Sequence, residues 1–477
     1  MINLVFILPI IFCIVMFFAK NKTLNNILIS LYALLHISVG LTYFINLDLL
    51  KSNQYFSLNS SNIIFYLILS VVFLAVSMYN NGYSKNLAKE FSDRKMMHYA
   101  VMMMAFVISM TGGILADNLG LAWIFIEGTT LASAYLIYFN KTKHSIEAAW
   151  KYVFICSIGI ALAFVGIILL TIATGSLNSL NYKDLMENAS NFNHFWLNVS
   201  FVFILVGIGT KMGLAPVHFW LPDAHAEAPS PISALLSATL LNCAFLVILN
   251  VYKVMIKANC IAYGRIILLI MGFASLFIAS VFMFHTTNYK RMLAYSSIEN
   301  MGILAIATSL GGVAYFALII HLIGHSLIKA SFFLTSGNVL ELFETKRIKS
   351  IRSLGMIDKK TSWLWIVSFL GICAFPPSML FLSEFLVVKA FVIQHHFVLC
   401  GLFLFLLTII LFGMGRVVIK MVYGEASKDK LEVAKNNVSK ISFWMYFPQI
   451  SMLTIAFVLG VYIPQFLDVI IKNTIIG

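Results

Sequence analysis

The sequence predicts an all-α polytopic membrane protein, a bundle of about 14 transmembrane helices. Three observations carry that prediction: the composition, the succession of long apolar runs, and the placement of the basic residues between them. Of 477 residues, 61% are hydrophobic and only 11% are charged. A soluble domain is about half apolar and a quarter charged. Soluble globular enzymes, disordered chains and secreted disulfide scaffolds are therefore excluded. A spanning helix needs roughly 20 apolar residues, and the chain has enough for 14 with short connections left over. The net charge of +13 would suggest nucleic acid in a soluble protein, but here it fits cationic loops at one membrane face.

The runs place spans near 2–18, 24–46, 62–79, 98–115, 118–138, 152–174, 196–218, 230–251, 263–285, 293–310, 312–338, 362–390, 398–422 and 441–470. Of the 32 Lys and Arg, 21 fall in the odd-numbered connections and 6 in the even ones or the C-terminal tail, counting Arg265 at the edge of the ninth span. The largest group is Lys346, Arg347, Lys349, Arg352, Lys359 and Lys360. This alternation predicts odd connections in the cytoplasm and both termini outside. It also favours an even number of spans, because one miscounted helix would scramble it. The first span is followed by Lys20 and Lys22 rather than preceded by basic residues, the reverse of a signal peptide. No polar stretch is long enough for an extramembrane domain.

Ionisable groups inside a bilayer cost about 2.5–3.5 kcal/mol each on insertion scales, so each needs a reason. Glu127 lies inside span 5, Lys211 in span 7, and Glu384 and Lys389 in span 12. His321, His325 and Lys329 recur at i, i+4, i+8 in span 11, which places them on one helix face. Lys389, Arg416 and Lys420 are read as snorkelling to the interface. Asp117 is expected to cap span 5. His285, His395 and His396 are read as interfacial. A haem held by His321 or His325 with His218 is a minor alternative.

Two spans contain helix breakers. Span 7 reads Gly213-Leu-Ala-Pro216-Val-His218-Phe-Trp-Leu-Pro222-Asp223, and span 12 reads Ala374-Phe-Pro376-Pro377. Proline removes a backbone donor, and irregular backbone persists in a membrane only where protein buries it or water reaches it. The breaks lie five spans apart, each near an ionisable residue. Five is odd, so the pattern predicts two inverted five-helix repeats, 98–251 and 263–422, preceded by three helices in 1–97 and followed by one in 441–477. Secondary transporters use this plan, with ion sites near the midplane. Residues of the types at Glu127, Lys211, His325, Lys329 and Glu384 titrate readily once burial and neighbours act on them, and joined by water they make a proton path. No GxGxxG, GxxxxGK[ST] or CxxC pattern is present, so nucleotide, iron–sulfur and structural zinc sites are not expected.

The segment Lys211-Met-Gly-Leu-Ala-Pro-Val-His218-Phe-Trp-Leu-Pro222-Asp223-Ala-His225-Ala-Glu-Ala-Pro229-Ser-Pro231 resembles the signature of the antiporter-like subunits of respiratory complex I, Mrp-type Na⁺/H⁺ antiporters and membrane-bound hydrogenases. The resemblance continues in Tyr289-Lys290-Arg291-Met-Leu-Ala-Tyr295-Ser296-Ser297-Ile-Glu299-Asn300-Met-Gly302 and in His321-Leu-Ile-Gly-His325-Ser-Leu-Ile-Lys329. Ser297-Ile-Glu299 and Ser237-Ala-Thr-Leu-Leu-Asn242 look most like the hydrogenase 4 component F branch of the formate hydrogenlyase group. The resemblance implies a proton-translocating subunit without catalytic residues, cofactor or metal of its own. Its partners would be other membrane and hydrophilic subunits of a hydrogenase or complex I-like assembly in a bacterial inner membrane. The ion would be H⁺, or alternatively Na⁺. The other branches, an NADH-quinone oxidoreductase subunit, an Mrp antiporter subunit and an inorganic-carbon uptake subunit, remain alternatives.

The resemblance also implies roles. Glu127 and Lys211 form an interacting pair. His218 follows the first break, His325 sits on the connecting axis with His321 and Lys329 on the same face, and Glu384 lies on the exit side. Asn242 stands where complex I relatives often carry a lysine, so the relay between Lys211 and His325 would use Asn242, water and Lys329. Asn300 stands where hydrogenase-type relatives often carry a histidine, which removes one titrating group.

Overall fold

The computed structural model describes residues 2–45, 55–426 and 428–476. Lys51, used in the charge count, lies outside them, as do the side chains of Lys428 and Lys430. Among the described residues the chain is helical, and it is not folded into sheets; three isolated β-bridges tie connections together.

Among the described residues fourteen helical units follow one another. They are α1 (Ile2–Ala19), α2 (Lys22–Ile45), α3 (Ile63–Glu90), α4 (Asp93–Leu115), α5 (Leu119–Ile137), α6 (Lys143–Thr174), α7 (His194–Met212, continued after a break by Leu221–Glu227), α8 (Ser230–Lys257), α9 (Ile261–His285), α10 (Tyr289–Leu310), α11 (Val313–Phe343), α12 (Lys359–Ile372, then Met379–Ile393), α13 (Phe397–Tyr423) and α14 (Phe447–Val461). Twelve helices among the described residues are long and apolar enough to cross a bilayer. The two units outside that set explain themselves: α10 carries many polar residues and α12 is interrupted.

Burial sorts the bundle. Every residue of α11 from Ala317 to Val339 is buried, and α8 is buried over almost its whole length. The outer helices α1, α6, α9 and α13 expose one apolar face, as the lipid-facing layer of a membrane bundle must. α8 and α11 thus form the axis on which the other helices pack. α8 also contains a π-helical stretch, Leu236–Leu240, a device that interrupts the regular ladder and re-aims side chains.

Both predicted breaks are present. α7 stops at Gly213, whose φ of +77° turns the chain into a left-handed conformation that glycine adopts without a Cβ penalty. α12 stops at Ile372 and restarts at Met379, where Ser378 caps the new helix by accepting from the Phe381 amide.

Four expectations need correction. Span 14 was expected over 441–470, but α14 ends at Val461 and a separate helix, Gln465–Ile476, follows the Pro464 turn. The cap of α5 is Asn118, not Asp117: the Asn118 side chain accepts from the Gly120 and Leu121 amides. The Asp117 carboxylate instead accepts from Ser57, so it ties the connection before α3 to that before α5. Lys253 was counted in a connection, yet α8 runs on to Lys257 and buries it; its ammonium donates to the Thr474 carbonyl at 2.7 Å. Lys290 was also counted in a connection and is fully buried in the first turn of α10.

Candidate functional site

The first group of buried polar side chains gathers where α5, α6 and α7 meet. The α7 break would leave backbone groups without partners inside the bundle. Trp220 answers by donating its indole N–H to the Thr210 carbonyl at 2.7 Å, and Ser275 of α9 accepts from the Ala215 amide at 2.9 Å. Trp220, Leu214 and Ala215 are all fully buried. The ordered break holds Lys211, which is itself completely buried, at the last turn of the first half of α7.

Lys211 donates to the Tyr152 hydroxyl at 2.9 Å and stands 4.6 Å from that ring's centroid. The Tyr152 hydroxyl also lies 2.6 Å from the Ser133 hydroxyl on α5. Trp220 packs against the same tyrosine at 4.8 Å between centroids. Glu127, half-buried one turn before Thr130, accepts from the Thr130 hydroxyl at 2.9 Å. Among the described residues no ion pair joins Glu127 to Lys211. The expected pair therefore shares a region, while the immediate partner of the lysine is a phenol on α6.

The second group lies on the α8–α11 axis. Asn242 donates to Ser326 of α11 at 2.7 Å, and Ser237 lies 2.7 Å from Ser297 of α10. His325, Lys329 and His321 are completely buried on α11. His321 contacts the Ser383 hydroxyl through Nδ1 at 2.9 Å, which links the axis to the second half of α12. Among the described residues neither ring nitrogen of His325 has a partner, and the same holds for Asn242 Oδ1, Asn300 Oδ1 and His321 Nε2. Buried polar atoms are paired in the great majority of cases, so this concentration marks a hydrophilic seam along α8, α10 and α11. His218 stands apart from the seam, buried beside the α7 break and stacked on Phe219 at 4.7 Å.

Lys329 donates to the Leu293 carbonyl at 2.6 Å and to the Ser296 hydroxyl, both on α10. It too makes no ion pair among the described residues. One turn along α10 lies Glu299, only 5% exposed and within electrostatic reach of both Lys329 and Glu384. Glu299 and Glu384 line one cavity of about 330 Å³, together with Cys373 and Ala374 at the α12 break. The break itself is open: Phe375, Pro376 and Pro377 are exposed. Lys389, Arg416 and Lys420 are exposed and stand outside this arrangement.

Sequence reasoning did not single out Tyr152, Glu299, Lys290 or His225. Tyr152 sits between the charged residue Lys151 and apolar residues, with nothing in its spacing to mark it. Glu299 was visible only as part of a motif. Lys290 donates to the Ala228 carbonyl at 3.0 Å, below the second half of α7, and His225 stacks on Phe333 of α11 at 4.7 Å. Nearby, Glu227 pairs with Lys346 at 3.1 Å, so these buried groups continue towards the basic connection that follows α11. Asp223 pairs with Lys151 and Arg291 at the same end.

Comparison with known proteins gives the family and the fold. Residues 116–412 match the family described as NADH:quinone oxidoreductase/Mrp antiporter, TM. A hydrogenase-4 component F homolog of Methylacidiphilum infernorum is 33% identical over 424 residues, 86% of each chain. A chain of the archaeal membrane-bound sulfane sulfur reductase superposes with a TM-score of 0.87 at 22% identity, covering 99% of this chain and 97% of that one. A chain of the Mrp complex from Dietzia sp. DQ12-45-1b gives 0.84 at 14% identity, covering 99% and 96%. These two likenesses concern the fold. Both solved chains are subunits of larger membrane complexes.

Proposed function

The chain belongs to the NADH:quinone oxidoreductase/Mrp antiporter family of membrane subunits, and from that premise we propose that it carries protons across the bilayer as one subunit of a redox-driven complex, most closely a membrane-bound [NiFe]-hydrogenase of the formate hydrogenlyase kind. The similarity to the hydrogenase-4 component F homolog supports that choice of complex. Electrons would be handled on partner subunits, since this sequence lacks nucleotide and iron–sulfur motifs. The proposed setting is a bacterial cytoplasmic membrane with both termini outside.

One observation carries the reading. Lys211 and Lys329 are both completely buried, and both donate to neutral oxygens rather than to carboxylates. A buried charge is costly unless paired. An ammonium bound to an acid would be locked in its charged form. On a phenol or a carbonyl its protonation instead depends on the charges that neighbours carry at that moment. Glu127 beside the first lysine and Glu299 beside the second supply such neighbours. Groups coupled in this way titrate as a set, so a charge change at one end is felt at the next.

The proposed route runs from Lys211 and Tyr152 to Asn242 and Ser326 on the axis. It continues through His325 to Lys329, then to Glu299, Glu384 and the cavity at the α12 break, with water completing the seam. Glu127 acts by electrostatics on Lys211, His218 stands at the break, and His321 positions Ser383 beside Glu384.

The test is purification of the intact complex in mild detergent and identification of its subunits by mass spectrometry. Proton uptake in proteoliposomes made from wild-type complex and from a Lys211→Ala complex follows. A hydrogenase large subunit among the partners and loss of uptake in the variant are expected. A chain that purifies alone, with flux indifferent to Lys211, would sink the proposal.

A further inference from the structure

A second cavity, lined by none of the residues of the polar seam, has the shape and charge of a ligand site. It lies between the first half of α12 and α14, and its volume is about 550 Å³. Leu364 and Val367 line one wall, and Leu453, Phe457 and Val458 line the other. One end is different: Lys359 and Lys360 stand there with Trp363. We propose that this slot holds an anionic phospholipid, with its phosphate on Lys359 and Lys360 and an acyl chain between α12 and α14.

The two ammonium groups are available for an anion. Both residues are exposed, and neither makes an ion pair among the described residues. The acid next to them in sequence, Asp358, is buried and turned inward. Its carboxylate accepts from the Lys360 and Thr361 amides and the Thr361 hydroxyl, and from the Tyr446 hydroxyl at 2.7 Å. Lys360 lies 5.4 Å from the Tyr446 ring, which keeps its ammonium at the rim of the slot. Trp363 is 67% exposed, the position an indole takes at a membrane interface.

The length of the slot and its basic rim suit an acyl chain below an acidic headgroup. The slot follows α14 from Ile450 to Val458, about 12 Å of helix. Half the hydrocarbon thickness of a bilayer is about 15 Å. Basic pockets between membrane helices are a recognised way of holding acidic headgroups. The slot takes no part in the proton route, so the inference stands or falls separately from it.

Native mass spectrometry of the full-length chain in mild detergent tests the proposal, with phosphatidylglycerol and phosphatidylcholine added in turn. One phosphatidylglycerol should be retained per chain at concentrations where phosphatidylcholine is not. Each lysine near an acidic headgroup contributes about fivefold, so Lys359→Gln with Lys360→Gln should weaken retention about 25-fold. Val458→Trp leaves the lysines in place and fills the slot from an exposed position, and it should also abolish retention. Glycerol 1-phosphate, which has the headgroup charge without the chains, should not compete. Equal retention of the two lipids, or retention unchanged in either variant, overturns the proposal. So does competition by glycerol phosphate, or a partner subunit's helix crosslinked at Trp363.

Discussion

The two broken helices solve the same backbone problem in opposite ways. At α7 the break is sealed: Trp220 and Ser275 supply the missing partners, and Leu214, Ala215 and Trp220 have no exposed surface. At α12 the break is open: Phe375, Pro376 and Pro377 are exposed, and the adjoining cavity holds Glu299 and Glu384. The buried lysines follow the same division. Lys211 rests on a phenol in a closed site, whereas Lys329 lies one α10 turn from a carboxylate that faces a cavity. Irregular backbone in a membrane needs either protein cover or a polar cavity, and this molecule uses one remedy in each half. On the proposed reading the sealed break fixes a relay, and the open one provides a mouth.

The strongest way to break this comparison is to remove the lysines. Lys211→Ala and Lys329→Ala should each lower proton uptake by the reconstituted complex on the order of 100-fold, the scale of a lost proton-transfer group. Lys211→Arg and Lys329→Arg sharpen the result. Arginine keeps the charge but does not give up its proton, so both should resemble alanine in flux while the complex still assembles. Full flux in the arginine variants would mean that charge alone matters, and that neither site exchanges a proton.

The carboxylates come next. Glu384→Gln and Glu299→Gln should each reduce uptake, Glu384→Gln more, and Glu299→Gln should hold or raise thermal stability because a buried carboxylate is removed. If Glu299→Gln left uptake untouched, the cavity would have a single working acid, and the second half would resemble the first.

How much of this was legible in the sequence follows from what sequence can express. The breaks were legible because Pro216, Pro222, Pro376 and Pro377 interrupt apolar runs. The α11 face was legible because His321, His325 and Lys329 recur every four residues. Tyr152 was not, because a tyrosine near the start of an apolar helix is ordinary until another helix delivers a lysine to it. Glu299 was not, because it lies among Ser296, Ser297 and Asn300, where one more polar residue suggests a helix end rather than a cavity wall. Lys253 and Lys290 were assigned to connections because hydropathy fades near helix ends, yet packing from Thr474 and Ala228 buries both. Asp117 and Asn118 are both good caps, and only the fold decides that Ser57 takes the aspartate.

A smaller effect tests the relay itself. Tyr152→Phe removes the hydroxyl shared by Lys211 and Ser133 and changes little else. Losing one partner of a buried donor costs upward of about 1 kcal/mol, so transfer through Lys211 should slow by about 5- to 30-fold, less than loss of the lysine itself. The ring contact with Trp220, at 4.8 Å, should survive and keep the fold intact. Phenylalanine with unchanged flux would show that Lys211 is served from elsewhere, with Glu127 the first candidate.

The smallest effect concerns the seal. Trp220→Phe preserves an aromatic wall against Tyr152 but removes the indole donor from the Thr210 carbonyl, leaving it the Gly213 amide at 3.2 Å, and Ser275→Ala removes the acceptor of the Ala215 amide. Each should lower stability by about 1–3 kcal/mol, measured as the loss of monodisperse protein on heating in detergent. At the open break Ser378→Ala removes only a helix cap, at a cost of about 1 kcal/mol. If the sealed break depends on protein partners as its burial implies, the two α7 variants melt below the α12 variant. The Tyr152–Lys211 contact should loosen with the α7 variants and not with Ser378→Ala. Equal losses at both breaks would mean that the closure seen around α7 contributes no more than an ordinary cap, and the contrast between the halves would then rest on the lysines and carboxylates alone.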